Sequence, residues 1–202
     1  MSREKNFVEE NYSPYREYMK FLSQRVIVDS CKGKIWFVRV PVLLFMAYVL
    51  IRNIADIDYY GIFNSFDLLM HEAGHFFFML FGRTLHILGG TITQLLIPTI
   101  CLVAFLRKAD YFGATFSLGW FGENLFGIAR YIGDARARVL PLLGGASKEN
   151  HDWYNLLKNW NILEYDTYIA SGVWLTGVTV MIAAILFGTW LLWVMYRDGE
   201  VT

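Results

Sequence analysis

Apolar and polar positions along this chain fall into long blocks. Residues 1–34 are mixed and polar, and apolar residues then dominate 35–51, 66–82, 86–106, 111–132 and 169–195. Blocks of that length exceed ordinary strands and approach the ~20 residues a helix needs to cross ~30 Å of hydrocarbon. The pattern predicts an all-α integral membrane protein with about five transmembrane helices. Asn64, Ser65 and Asp67 supply N-cap chemistry for the second helix, and Gly82 a C-cap. The third follows a tight link, opens with Gly89-Gly90 (read as a link or breaker), and contains Gln94 and Pro98. The fourth is rich in glycine and carries Glu123, Asn124 and Arg130. Residues 133–165 form the longest stretch expected outside the membrane, with a short amphipathic helix over 153–160. Within the arm at 1–34, Tyr15, Met19, Leu22 and Val26 share helical spacing, which suits either a surface-lying helix or an unordered tail.

Composition agrees with the block pattern. Hydrophobic residues make up 55% of the 202 and charged residues only 18%, so the surplus apolar surface is expected to meet lipid. Lys plus Arg equals Asp plus Glu at 18 each. No basic field is therefore available to hold nucleic acid. Cys31 and Cys101 form neither a metal-binding pair nor an expected disulfide. The arm lacks an early apolar run, so a mature helix is expected to direct insertion. Lys32, Lys34 and Arg39 flank the first block, while Arg130, Arg136, Arg138, Lys148 and Lys158 lie in or near 133–165. With five spans both groups fall on one side, opposite Arg107 and Lys108. The expectation is a protein of a cell (inner) membrane with a cytoplasmic N-terminus.

The chemistry is concentrated in the second block, at His71-Glu72-Ala73-Gly74-His75. Two histidines at i and i+4 share one helix face and can reach a single Zn2+. Glu72 then lies beside the ion without ligating it, where it can take a proton from a water the ion has acidified. Three ionisable residues within five positions of an apolar helix are costly unless a cation pairs with them. The bland alternative is a hydrogen-bonded polar cluster inside the bundle.

A catalytic zinc site usually has three protein ligands. His151 is the first choice for the third, with Asp134 and Asp152 as alternatives. Asp134 could instead pair with Arg136 or Arg138, and Asp152 could simply cap the short helix. His86 is better read as an interfacial histidine. Asn124, at mid-helix, could stabilise an oxyanion or hold an extended substrate; an interhelical hydrogen bond serves equally well. Glu123 pairs with Arg130 or faces a wet cavity.

With HEAGH in an early membrane helix, Leu88-Gly89-Gly90, Gln94 and Pro98 after it, and Asn124 in a later helix, the chain resembles the site-2-protease-like intramembrane zinc metalloproteases. The resemblance covers residues 64–153. It implies hydrolysis of peptide bonds in or near the bilayer, and a third ligand from a later segment. That family takes its third ligand from an Asp-Gly motif. None stands at 120–153 here, and His151-Asp152-Trp153 occupies its place. The expected organisation is an arm (1–34) and a membrane-embedded metalloprotease-like domain (35–202) acting on a membrane protein or peptide. The competing readings are a non-catalytic zinc-binding membrane protein, with a structural or partner-binding role, and a transporter.

Overall fold

The computed structural model describes residues 25–140 and 148–199. Most of the arm, with Tyr15, Met19 and Leu22, lies outside them, as do Pro141 and Gly144-Gly145. Residues 25–31 are helical. A 3₁₀ turn at Phe37–Arg39 leads into α1 (Val40–Ala55). The next helix, α2 (Asn64–Phe78), ends in a 3₁₀ turn at Met79–Phe81, and α3 (Arg83–Arg107) and α4 (Tyr111–Gly133) follow. The short α5 (Asp152–Asn159) precedes the long α6 (Asp166–Gly199). Every regular element among the described residues is helical.

Three segments are long and apolar enough to cross a membrane: Phe37–Ala55, Arg83–Arg107 and Leu163–Asp198. The expected five are therefore three among the described residues. The other two helices fall short for different reasons. The 15 residues of α2 span only ~22 Å at the helical rise. The 23 residues of α4 are long enough, but Thr115, Ser117, Glu123 and Asn124 are all buried on it. It lies between α3 and α6, its most extensive neighbours. A helix wrapped by protein needs no lipid-compatible surface, so its faces carry small and polar groups. Gly122 and Gly177 bring α4 and α6 together: a Cβ on either would lie 3.1–3.2 Å from the other's carbonyl oxygen. One apolar cluster joins α1, α4 and α6 through Leu43, Met46, Val49, Phe126, Met181 and Leu191. A second, with Leu125, Ile128, Ile132 and Leu157, fastens α5 to α4. Phe76 and Phe77 stay exposed, at 70% and 67%, which suits a lipid-facing side.

Residues after α1 turn back into the bundle. Phe63, just before α2, packs on Phe45 near the start of α1 and on Phe116 near the start of α4. Tyr59, four residues earlier, lies against Tyr48. Helix α2 therefore begins part-way down the bundle and does not run its full depth. The expected caps are used otherwise. No side chain caps α2, Asn64 accepts from Gly61 N–H, and Asp67 accepts from Trp120 Nε1, 2.9 Å away. Gly82, at φ +89° and ψ 163°, forms the junction with α3 in a conformation open chiefly to glycine.

The short α2 also changes which regions share an end. Lys34 lies 3.6 Å from Asp110, and Gly33 N–H donates to Asp198. The start of α1, the α3–α4 turn and the end of α6 are thus together. Arg130 donates to the carbonyls of Ile57 and Tyr59, and Arg136 pairs with Asp166. The 133–165 stretch therefore sits at the other end. The cations of the arm and those of 133–165 were expected on one side; they lie at opposite ends, and Arg107 and Lys108 are with the arm.

Candidate metal centre

Gly89 and Gly90 are neither a link nor a breaker; both lie inside α3. Their missing side chains let α2 and α3 touch. A Cβ on Gly74 would sit 2.2 Å from Gly89 O, and one on Gly90 2.5 Å from His71 Nε2. The motif histidines are thereby pressed against α3, which supplies a hydrogen-bond acceptor to each. His71 Nδ1 lies 2.7 Å from Gln94 Oε1, and His75 Nδ1 lies 2.8 Å from the His86 carbonyl oxygen. Neither of these oxygens can donate, so each Nδ1 carries a proton and each Nε2 is turned outward, a donor when the ring is charged and a metal ligand when it is neutral.

Both Nε2 atoms meet a single carboxylate. Asp152 Oδ2 is 2.9 Å from His71 Nε2 and 3.1 Å from His75 Nε2. Together these three side chains form a cluster able to hold a metal ion. An anionic oxygen at such distances from both rings needs positive charge among them, either protons on the ring Nε2 atoms or a metal ion in their place. Ligands about 2.0–2.1 Å from a tetrahedral zinc stand roughly 3.3 Å apart, so Asp152 Oδ2 and the two Nε2 atoms, at 2.9 and 3.1 Å, need only separate slightly to admit an ion. The ring nitrogens facing away are held by acceptors, as outer-shell partners of ligating histidines usually are. Burial pushes the Asp152 carboxyl up, but its hydrogen bonds with His71 and His75 outweigh that and hold it below its ordinary value.

The two neighbours at the start of α5 have exchanged their expected roles. His151 does not join the cluster. It is the N-cap of α5, its Nδ1 accepting from Tyr154 N–H at 3.2 Å. Its Nε2 is 3.3 Å from Asp134 Oδ2, off the line of a hydrogen bond. Asp134 also stands outside the cluster, accepting from Val139 and Leu140 N–H. Asp152, expected either as an alternative third ligand or as the cap, is the group that reaches the histidines. Burial lowers the affinity of His151 for a proton, and nearby Asp134 only partly opposes that. His86, not chosen as a ligand, donates from Nδ1 to His75 O. It thus locks α2 to α3 rather than binding the ion.

Tyr131 carried no signal in the sequence. Its hydroxyl accepts from Asp152 N–H at 3.0 Å, and its ring lies 5.8 Å from that of His71 and 4.3 Å from that of His151. Gln94 was legible as a polar residue in an apolar run, although not as the partner of His71. Two cavities flank the cluster. One, of about 470 Å³, has Leu68, Asn124 and Leu140 in its wall. The other, of about 450 Å³, is lined by Arg83, His86, Glu149 and Asn155. Glu72 and Tyr131 line both. Asn124 spends an amide N–H on Trp120 O at 3.1 Å.

No family model, curated protein or solved structure matches this chain.

Proposed function

We propose that this protein is a membrane-embedded zinc endopeptidase of the kind its HEAGH motif resembles. His71, His75 and Asp152 hold the ion. The observation that carries the reading is the convergence of both histidine Nε2 atoms on one Asp152 oxygen, with both opposite ring nitrogens already committed to acceptors. When bound, zinc supplies a Lewis acid that polarises a carbonyl and acidifies a water. With the ion bound, Glu72 would take a proton from the water that attacks the scissile carbon and return it to the leaving amine as the C–N bond breaks. Tyr131, its hydroxyl proton still available after accepting from Asp152 N–H, donates to the carbonyl oxygen. Asn124, with one N–H already given to Trp120, holds the cavity wall.

The first cavity, walled partly by apolar residues, suits a peptide entering from the bilayer, and the second, polar one suits water. His151 is turned to Asp134, so it does not close the cluster's fourth position. That favours a catalytic site over the closed four-ligand arrangement of a structural zinc. Helices α2 and α4 are embedded beside the three spans, in a cell inner membrane. The end that gathers Lys32, Lys34, Arg39, Arg107 and Lys108 faces the cytoplasm.

Two measurements test this on the full chain purified in detergent. Metal analysis should find one zinc per chain. Glu72→Gln should lower peptide cleavage by roughly 10²–10⁴-fold and leave the zinc content unchanged. A Glu72→Gln protein as active as the parent rules the mechanism out.

A further inference from the structure

The second cavity holds a charge that the peptidase chemistry does not use. Arg83, the first residue of α3, lines it beside Glu72, His75 and Asp152. Two arginines border the cavities that flank the cluster. Arg130, in the first, is tied to the Ile57 and Tyr59 carbonyls. The Arg83 guanidinium has no hydrogen bond, ion pair or ring contact with any described residue. Its position is nevertheless fixed. His86 lies one turn along the same helix face, donates to the His75 carbonyl and accepts from the His75 ring. The first turn of α3 is thereby fastened to a proposed zinc ligand. The His75 and His86 rings stand 5.5 Å apart, and side chains three apart on a helix are about 5–6 Å apart at Cβ. Arg83 thus comes within roughly three residues of extended peptide from the ion, at ~3.3–3.6 Å each.

We propose that Arg83 binds a carboxylate of the substrate peptide, close to the cut, and so sets which peptides are cleaved. The assignment rests on the peptidase reading. The carboxylate is either the chain terminus or an Asp or Glu side chain; the recognition is the same. A guanidinium grips it through two parallel N–H donors, a geometry that an ammonium does not reproduce. Glu72 and Asp152 share the wall, and the charge of a bound zinc offsets them. Glu149, also in the wall, is exposed and makes no ion pair with Arg83, so solvent screens it. A few uncommitted polar groups in a cavity are what fix a ligand's orientation, and Arg83 is the cationic one here. A lipid phosphate placed on Arg83 would occupy the space beside Glu72 that the attacking water needs.

The test uses the full-length, zinc-loaded protein in detergent and a peptide library built in matched pairs. Each pair differs only in a C-terminal acid or amide, or in Asp or Asn, Glu or Gln, at one position. At one position within about three residues of the cut, the carboxylate should raise kcat/KM at least about tenfold, the effect of a charge-assisted hydrogen bond. Whether that position is the terminus or a side chain separates the two sources. Arg83→Gln should erase the difference and leave zinc content and cleavage of the uncharged peptides unchanged; Arg83→Lys should restore part of it. Equal cleavage of every pair by the parent protein overturns the assignment. So does an Arg83→Gln loss shared equally by charged and uncharged peptides, which would give Arg83 to the fold or to a lipid phosphate. If no peptide is cut, binding of the same pairs decides. Tighter binding of the carboxylate form that Arg83→Gln removes keeps the carboxylate site and overturns the peptidase reading, and equal binding overturns both.

Discussion

At the start of α5 a helix cap and a proposed metal ligand stand side by side. His151, the N-cap, has extended backbone (φ −69°, ψ 113°), and the helix begins at Asp152, so the two side chains leave the chain in different directions. His151 satisfies the Tyr154 N–H, and Asp152 takes the histidines. Asp152→Ala should therefore abolish zinc retention. His151→Ala should keep one zinc per chain and cost roughly 1 kcal/mol of stability, the usual loss of an N-cap; metal analysis and thermal unfolding decide between the two. Acid should act on the same cap. Burial holds His151 below its ordinary value in the folded chain, so the unfolded chain takes up the proton first. The contribution of this residue is complete above its ordinary value near ~6.5 and is lost as pH falls through its lowered folded value. Hydrogen exchange at the Tyr154 amide should accelerate over that acidic window, and in His151→Asn it should not. The spacing of His71 and His75 made a shared ligand face legible, because i,i+4 geometry is local. The choice between His151 and Asp152 was not legible, because the docking of α5 on Ile128, Ile132 and Leu125 sets it.

Helix contacts decide what the glycines mean. In the sequence, Gly89-Gly90 resembled a break; in the bundle they are where α3 admits α2. Gly90→Ala would drive a Cβ to 2.5 Å from His71 Nε2, the atom proposed to face the ion. The expected result is loss of zinc with the helix content retained, read by metal analysis beside circular dichroism. A Gly90→Ala protein with full zinc would show that the His71 ring has room to move. A similar limit governed the reading of α2. Its apolar pattern continues through the 3₁₀ turn to Phe81, so hydropathy gave no sign that the helix proper is too short to cross. Helix α4 runs from one end of the bundle to the other, as expected of a fourth span; its glycines, Glu123 and Asn124 are visible in the sequence, but its enclosure by α3 and α6 is not.

For the whole molecule, the partial depth of α2 sets the topology. Single cysteines at Lys34 and Lys108, in a background without Cys31 and Cys101, should react from one side of a sealed vesicle. Cysteines at Arg138 and Lys148 should react from the other, tested with a membrane-impermeant thiol reagent. Labelling of Lys34 and Lys148 from the same side would restore a fully crossing α2. The arm's side should be cytoplasmic in whole cells. The all-helical, membrane-suited character was readable from block lengths alone, since ~20-residue apolar runs have few other uses. The pairing of chain ends was not, because one helix too many inverts every later segment.

His71 and Asp152 are 81 residues apart in the chain. During synthesis the motif helix is finished long before its third donor exists, and the nascent polypeptide can offer zinc only two imidazoles. On the proposed reading, hydrolytic competence is withheld until α5 has emerged and docked. A half-made copy cannot cut its neighbours in the translocation machinery, and maturation is gated by completion of the chain itself.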